Sequence, residues 1–187
     1  VLLERDECLR EYAKYKTVYF GTYATTPYVM MCKTPVARLA DLKGLKMRAA
    51  GTVYGRWAAK MGGVPVNIPN AEAYEALERG QLDCMIGALS WLQTLSLWDV
   101  TKNTIDLPMG AYLGGAFLAL NERSWKSVKP SDREVFVKHV PAALAALAVG
   151  YVKDDEDVKK QAQSKGVTIR PPGEAILAAQ FFIVWAL

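Results

Sequence analysis

One arginine stands where a short strand is predicted to end, a position that can bind an acid. Residues Leu45–Arg48 alternate apolar and charged side chains, as a strand with one buried face does. The small residues Ala49, Ala50 and Gly51 follow and leave room for a ligand. The carboxyl ends of parallel strands line the ligand crevice of open α/β sheets, and a guanidinium there can hold a carboxylate through two parallel hydrogen bonds. Spacing alone, however, favours a solvated arginine or a structural ion pair.

Few other residues offer catalytic chemistry. The single histidine, His139, excludes a histidine-based zinc site and would have to serve any Ser/His/Asp or Cys/His arrangement from inside a predicted helix. No Gly-rich phosphate loop is visible, because Lys43-Gly44 lacks the upstream glycine of a P-loop. An enzyme on this scaffold would have to use Asp83 or Glu72 as a general base near Arg48. The sequence therefore predicts neither a metal site nor a cofactor.

The three cysteines, Cys8, Cys32 and Cys84, show no C-x-x-C spacing, and their odd number leaves at least one thiol unpaired within the chain. We interpret them as small, buried apolar side chains rather than as redox or metal-binding residues. On that interpretation they do not indicate the redox compartment.

Composition predicts an ordinary globular protein. The chain has 187 residues, a net charge of +4, 51% apolar and 22% charged side chains, enough to bury about 70% of the unfolded chain's surface in one large domain or two small ones. The weak, dispersed positive charge does not favour nucleic-acid binding. The apolar run Ala142–Val149 is bounded by Pro141 and Gly150 and falls short of the roughly 18 residues of a membrane span. The sequence thus predicts no such span.

Apolar periodicity switches between two and about 3.6 residues, which predicts an α/β fold with a mostly parallel sheet flanked by helices. The clearest unit is a turn over 41–44 with Gly44 at positive φ, the strand 45–48, and a helix whose apolar face carries Val53, Trp57 and Met61. Further strands are predicted over 17–23, 64–68, 82–86, 104–107 and 116–120, and further helices over 2–12, 70–79 and 90–100.

A long helix is predicted from the capping box Ser131–Glu134 to about Lys165, and Pro141 should kink or divide it. The final segment, Ala175–Leu187, is an almost wholly apolar helix without a stop signal. Because the chain also opens on a helix without a preceding strand, we expect it to be an internal fragment of a longer protein.

Four motifs in register resemble one family. Residues Leu39–Arg48 are similar to the "aDLkGlKiR" segment of the solute-binding proteins of TRAP (tripartite ATP-independent periplasmic) transporters, the DctP-like family. Glu72–Leu77 resembles its "E-x-Y-x-A-L" helix and Gly80–Asp83 its "G-x-v-D-g" turn. Asn121–Trp125, with the helix at Asp132, resembles the passage into its long connecting helix. The similarity extends from about Val18 to Gly166.

The resemblance implies a two-lobed, periplasmic-binding-protein-like receptor with an incomplete first lobe. Residues 1–25 and 112–152 would be the remainder of lobe one, and residues 26–111 and 153–187 would form lobe two. Gly114-Gly115 would lie near a crossing between the lobes, as a hinge or equally as a strand bulge.

In the family, the arginine at the position of Arg48 is the principal carboxylate anchor, so the resemblance favours a ligand-binding role for it. Other pocket positions depart from better-known members. Tyr28 replaces a second arginine, and Gly87 replaces an asparagine, which removes a polar contact and opens space. Asn70 either lines the pocket or caps a helix. The remaining pocket candidates are Trp91, as a pocket wall or a core residue, and Tyr112.

These departures favour a monocarboxylate with a modest apolar or aromatic body, such as a 2-oxo or aromatic acid. The resemblance implies a periplasmic, non-enzymatic protein without a cofactor, which delivers the acid to the membrane permease subunits of a TRAP transporter. The alternatives are a ligand-sensing receptor domain of the same fold and an α/β enzyme acting on a small acid. A membrane segment fused downstream would favour sensing, and a signal peptide with a neighbouring permease pair would favour transport.

Overall fold

The computed structural model describes residues 5–112 and 117–184. The chain divides into two compact units. Unit 1 comprises residues 1–26 and 111–153, and unit 2 comprises residues 27–110 and 154–187. The predicted hinge residues Gly114 and Gly115 lie outside the described residues.

Helices and strands alternate along much of the chain. The α-helices are α1 (Arg5–Lys14), α2 (Gly51–Lys60), α3 (Ala73–Glu78), α4 (Trp91–Thr94), α5 (Glu122–Ser127), α6 (Pro130–Ala162) and α7 (Glu174–Val184). The strands are β1 (Thr17–Thr22), β2 (Val29–Cys32), β3 (Lys46–Arg48), β4 (Val64–Val66), β5 (Cys84–Gly87), β6 (Asn103–Ile105), β7 (Phe117–Asn121) and β8 (Thr168–Arg170).

Unit 2 is built on one six-stranded sheet in the order β4-β3-β5-β2-β6-β8. Strand β3 runs parallel to β4 and β5, and β6 runs parallel to β8. Strand β2, in the interior of the sheet, runs antiparallel to both of its neighbours, β5 and β6. The predicted α/β class is confirmed. The reversed direction of β2 was not predicted, because periodicity reports which face of a strand is buried and not which way the strand runs.

The core of unit 2 consists of aliphatic and sulfur-containing side chains. Burying one of them completely stabilises the fold by about 1.5–3 kcal/mol. The fully buried larger members of its main cluster are Met31, Leu77, Leu82, Met85, Leu92 and Leu97. Strands β3 and β5 lie side by side in this sheet, and Arg48, which ends β3, is paired with Met85 of β5.

The turn before β3 explains why an aspartate stands in the sequence Asp-Leu-Lys-Gly. Asp41 accepts hydrogen bonds from the backbone N–H groups of Arg38 at 2.8 Å and Ala37 at 3.0 Å, and from the Arg38 guanidinium at 3.0 Å. These bonds, with the Arg38 backbone bond foremost, hold the pKa of the Asp41 carboxyl below its ordinary value. Gly44 adopts a φ of +77°, as predicted for the end of the turn.

The helix predicted over 90–100 is wrong in its length. Helix α4 ends at Thr94, Ser96 adopts a left-handed φ of +53°, and a separate 3-10 turn covers Leu97–Asp99. The apolar pattern runs through the break without interruption, so periodicity alone did not reveal it. The break leaves Trp91 on a short helix that closely follows β5.

A disulfide joins Cys32 in β2 to Cys84 in β5, at directly paired positions of the two strands. Cys8 in α1 is a free cysteine. The interpretation of Cys32 and Cys84 as unreactive buried thiols is therefore wrong, because their pairing depends on strand register, which sequence spacing does not show. Structural disulfides are typical of proteins that fold in an oxidising compartment.

Helix α6 is 33 residues long and is followed by a 3-10 turn over Gln163–Lys165. Pro141 lies inside it without dividing it, since a proline removes only one backbone donor. By length and composition the stretch Pro130–Lys165 could cross a membrane, contrary to the prediction of no such span, although a single helix of this kind is weak evidence for one. Its residues up to Lys153 belong to unit 1 and the rest to unit 2.

Unit 1 contains an antiparallel pair of strands, β1 and β7. Beside them, aromatic rings pack edge to face: the centroid of Phe20 lies 4.8 Å from those of Trp125 and Phe136. Among the described side chains of this unit, only Thr25, Val140 and Leu144 are buried. Unit 1 therefore has a small core made largely of partly exposed rings.

Candidate functional site

Arg48 is the last residue of β3 and is almost completely buried, with 7% of its surface exposed. Its Nε donates a hydrogen bond to the carbonyl oxygen of Ile68, 3.1 Å away, in the segment that follows β4. The side chain therefore lies at the carboxyl edge of the parallel strands β3, β4 and β5 and does not extend into bulk solvent. A buried guanidinium is a strong site for an anion, because little water competes for its donors.

An indole lies beside this guanidinium. The Cζ atom of Arg48 is 5.9 Å from the ring centroid of Trp91, within the range of a cation–π interaction. Gly87, which ends β5, makes this placement possible: a Cβ there would lie 2.1 Å and 2.2 Å from two ring carbons of Trp91. This glycine was predicted to open space for a ligand, whereas the Trp91 ring occupies that space.

Tyr28 adds a second aromatic side chain, with 3% of its surface exposed. Its ring is tilted against Trp91 at 5.4 Å and stacked on Tyr54 at 5.3 Å. Gly110 fixes both tyrosines, because its carbonyl oxygen accepts the backbone N–H of Tyr28 at 3.0 Å and the hydroxyl of Tyr54 at 3.2 Å. The structure thus brings Arg48, Tyr28, Gly87 and Trp91 together.

Tyr54 is the member of this aromatic group that the sequence analysis missed. The predicted face of α2 carried Val53, which is in fact 63% exposed, while Tyr54, Trp57 and Ala58 are buried. The buried positions 54, 57, 58 and 61 fit helical spacing better than 53, 57 and 61. That spacing was a usable signal for Tyr54.

Asn70 lies two residues after Ile68, whose carbonyl oxygen accepts the hydrogen bond from Arg48. It begins a 3-10 turn over Asn70–Glu72 and caps neither that turn nor α3, so the interpretation as a helix cap is wrong. Its side-chain oxygen is buried and accepts no hydrogen bond from the described parts of the chain. A buried acceptor is therefore available near the guanidinium.

Asp83 and Glu72, the two possible general bases, take different positions. The Asp83 carboxylate accepts the backbone N–H of Lys46 at 2.8 Å, at the amino end of β3, whereas Arg48 ends the same strand. Asp83 thus ties two strands together and does not pair with Arg48. Glu72 is exposed. Neither is a base held against the guanidinium.

Tyr112 belongs to unit 1, where its backbone N–H donates to the Thr25 hydroxyl at 3.0 Å. Its role as a ligand-binding residue stays a prediction.

Within the described residues, no group of three or more His, Cys, Asp or Glu side chains could hold a metal ion. The arrangement at Arg48 is a buried guanidinium beside a cluster of aromatic rings.

One family model matches nearly all of the chain, and solved structures share its fold. The model of the DctP family, described as "Bacterial extracellular solute-binding protein, family 7", matches residues 5–181. One similar solved structure is a Bordetella pertussis extracytoplasmic solute receptor binding pyroglutamic acid. It is 21% identical and has a TM-score of 0.88, and the match covers 97% of this chain and 60% of the receptor.

Two further solved structures are TRAP periplasmic solute-binding proteins. The protein from Desulfovibrio salexigens, with bound orotic acid, is 18% identical with a TM-score of 0.85, over 97% of this chain and 58% of its own. The protein from Shewanella oneidensis, with bound succinate, is 19% identical with a TM-score of 0.84, and the match covers 97% of this chain and 59% of that protein. At these identities the likeness shows the fold, and the chain spans about 60% of the length of these relatives.

Proposed function

Because the chain belongs to family 7 of the bacterial extracellular solute-binding proteins, we propose that it captures a small organic acid and holds the acid's carboxylate with Arg48. The family is one of solute receptors and not of enzymes, so the enzymatic alternative is set aside. The mechanism is capture without bond making or breaking: binding favours a closed form of the receptor, and no catalytic group takes part.

The burial of Arg48 is the observation that carries this proposal. With only 7% of its surface exposed, Arg48 has lost most of its hydration, and an acid carboxylate would return strong, charge-assisted hydrogen bonds to its guanidinium. The bond from Nε to Ile68 fixes one edge of the guanidinium plane, and Trp91 lies at its side. The group is thus oriented before any ligand arrives, which lowers the entropy cost of binding.

The ligands of the similar structures support an acid. Pyroglutamic acid, orotic acid and succinate each carry at least one carboxylate, although their bodies differ widely in shape. A shared feature of otherwise different ligands is best bound by a shared anchor. For this chain we assign that anchor to Arg48.

The ligand class that we propose is a monocarboxylate with an apolar or aromatic body, such as a 2-oxo or aromatic acid. Trp91 lies beside the guanidinium and packs against Tyr28, which stacks on Tyr54, and none of these three rings carries a positive charge. A thermal-shift screen of carboxylates on the complete gene product tests this. Stabilisation by an aromatic or 2-oxo monocarboxylate is expected, and stabilisation by a dicarboxylate or sialic acid alone would contradict the class.

We further propose that the acid is passed to the permease subunits of a TRAP-type transporter. In this scheme unit 2 is the lobe that anchors the carboxylate and unit 1 is the remainder of lobe one. Members of the family are extracytoplasmic, and the Cys32–Cys84 disulfide fits the oxidising periplasm that we propose for this protein. Deleting a permease gene beside the receptor gene should abolish uptake of the identified acid by cells and leave binding by the purified receptor intact.

Replacing Arg48 tests the anchor directly. We expect Arg48→Ala to weaken binding of the acid by about 2–5 kcal/mol, at least about 30-fold in Kd, because the carboxylate loses its charged partner after desolvation. Arg48→Lys should recover only part, since an ammonium cannot present two parallel donors. Isothermal titration calorimetry with the best acid from the screen measures both variants.

The matched control is Arg56→Ala, which removes an exposed arginine from α2 in the same unit. Its affinity should equal that of the parent protein, and the melting temperature of each unliganded variant should show that the fold is intact. An Arg48→Ala variant that binds the acid as tightly as the parent would refute the assignment of the anchor.

A further inference from the structure

The side-chain oxygen of Asn70, Oδ1, is one of a few buried polar atoms in the described residues that have no hydrogen-bond partner. Buried polar atoms in folded proteins nearly always have a partner, either protein or water, and each exception requires an explanation. An acceptor without a donor costs free energy in the empty protein, which a ligand can recover by supplying the donor.

The position of Asn70 ties this acceptor to Arg48. Strands β3 and β4 are parallel, and Arg48 is paired in register with Val66 at the end of β4. The chain then continues through Ile68, whose carbonyl oxygen accepts the Arg48 Nε hydrogen bond at 3.1 Å. Asn70 lies two residues farther, within about 7 Å of Ile68 along the chain. Its amide is therefore within reach of a group next to a carboxylate held by Arg48.

Asn70 has no competing structural task in the described part of the chain. It caps neither the 3-10 turn that it begins nor the following helix α3. Asn67, three residues earlier in the same segment, is exposed to solvent, as asparagines in such connections commonly are. Asn70 thus differs from Asn67 because its side-chain oxygen is buried, caps no helix and lies near the anchor in the chain.

We infer that the acid bound at Arg48 carries a hydrogen-bond donor, an N–H or an O–H, close to its carboxylate, and that Asn70 Oδ1 accepts this hydrogen bond. The inference rests on the proposed function and narrows it: Arg48 selects acids, and Asn70 selects among acids those with a donor at the adjacent position. Cyclic amides with a ring N–H and 2-hydroxy acids have this chemistry. A 2-oxo acid offers only an acceptor there and lacks it, so the inference removes the 2-oxo acids from the class proposed above and keeps the aromatic acids that carry a donor.

Two pairs of probes separate the donor from every other property of the ligand. L-pyroglutamate and 5-oxotetrahydrofuran-2-carboxylate differ by a ring N–H replaced with oxygen, and mandelate and phenylacetate differ by the 2-hydroxyl. Their Kd values are measured by calorimetry for the complete gene product and for Asn70→Leu, with Asn67→Leu as the control from the same segment. The ratio of Kd within a pair is the readout, because a general loss of folding or affinity changes both members alike.

We expect the parent protein to bind the donor-bearing member of a pair at least about tenfold more tightly, since the other member leaves Oδ1 unsatisfied. Asn70→Leu should reduce that preference to within about threefold, and Asn67→Leu should keep it. A parent that prefers the donor-free member, binds both members equally, or binds only acids without a donor overturns the inference while the proposed function stands. Binding of every acid that is unaffected by Arg48→Ala would instead refute the proposed function itself.

Discussion

Unit 2 packs a six-stranded sheet against fully buried aliphatic side chains, whereas unit 1 packs a pair of strands against aromatic rings that stay partly exposed. In unit 1 only three described side chains are buried. The stability of the two units therefore depends on different interactions. Unit 2 excludes water from a core of its own, and unit 1 does so only in part. The candidate ligand anchor lies on the unit with the larger core.

The disulfide is the largest expected contribution to this difference. Cys32 and Cys84 close a loop with a sequence separation of 52 residues, for which the chain-entropy model gives about 4 kcal/mol. The double variant Cys32→Ala/Cys84→Ala should lose about that much unfolding free energy in guanidinium titrations. Hydrogen exchange should rise mainly in the strands of unit 2. Cys8→Ala, which removes the free thiol of unit 1, is the control. An equal loss of unfolding free energy in the double variant and in Cys8→Ala would contradict a stabilising role of the disulfide.

The second prediction compares two leucines. Leu77 in α3 is completely buried, and Leu147 in α6 is 49% exposed. Leu77→Ala should destabilise the protein by about 3 kcal/mol through lost burial and a cavity, whereas Leu147→Ala should change stability by about 0.5 kcal/mol or less. Equilibrium unfolding in urea measures both. Similar losses at the two sites would mean that the exposed face of α6 is covered in solution.

The third prediction concerns a glycine of unit 1 that no close contact requires. Gly150 lies inside α6, and a Cβ placed there would meet nothing within 4 Å. Gly150→Ala should therefore raise the free energy of unfolding by about 0.5–1 kcal/mol, because alanine loses less backbone entropy in a helix. Thermal melts monitored by circular dichroism check the sign. A lower melting temperature would show that a neighbour occupies this face of the helix.

The smallest effects concern two exposed carboxylates with lowered pKa values. In unit 2, backbone N–H groups and Arg38 lower the pKa of Asp41, and in unit 1 the Lys126 ion pair lowers that of Glu122. Because screening weakens an exposed ion pair more than a local hydrogen bond, about 1 M salt should return the pKa of Glu122 towards its ordinary value more than that of Asp41. NMR titration of the carboxyl carbons measures both.

The sign of the pH dependence follows from these directions. A folded-state pKa below the unfolded value gives stability that is present above the unfolded pKa and is lost as pH falls through the folded one. The stability difference between the parent and Asp41→Asn should therefore be largest near neutral pH. It should shrink once the pH drops below about 4, the ordinary range of an aspartate. A difference that stays constant down to pH 2 would contradict the hydrogen bonds described for Asp41.

Much of the fold could be predicted from the sequence where local signals suffice. The turn at Asp41–Gly44, the strand ending at Arg48 and the long helix α6 follow from turn chemistry, alternation and capping, all of which act over a few residues. The direction of β2 and the break at Ser96 could not be predicted in this way. Strand direction depends on how distant segments meet, and Ser96 interrupts an apolar pattern without changing it.

For the candidate site, residue types were predictable and their contacts were not. Arg48 stood out because a charged side chain ends an alternating strand next to small residues. The packing of Trp91 on Gly87 and the stacking of Tyr54 on Tyr28 join segments that are distant in sequence or separated by a turn. Only the folded sheet brings them to one edge, which is why Gly87 was mistaken for open space.

The position of Trp91 beside the guanidinium also gives the receptor a built-in optical reporter. The fluorescence of an indole responds to nearby electric fields, and a carboxylate arriving at Arg48 would neutralise the positive charge 5.9 Å from this ring. Occupancy of the anchor could then be followed in real time without a dye or a radiolabel. Substituting phenylalanine for Trp57, Trp98, Trp125 and Trp185 would leave Trp91 as the one tryptophan in the sequence. Stopped-flow mixing could then time the arrival and departure of the acid.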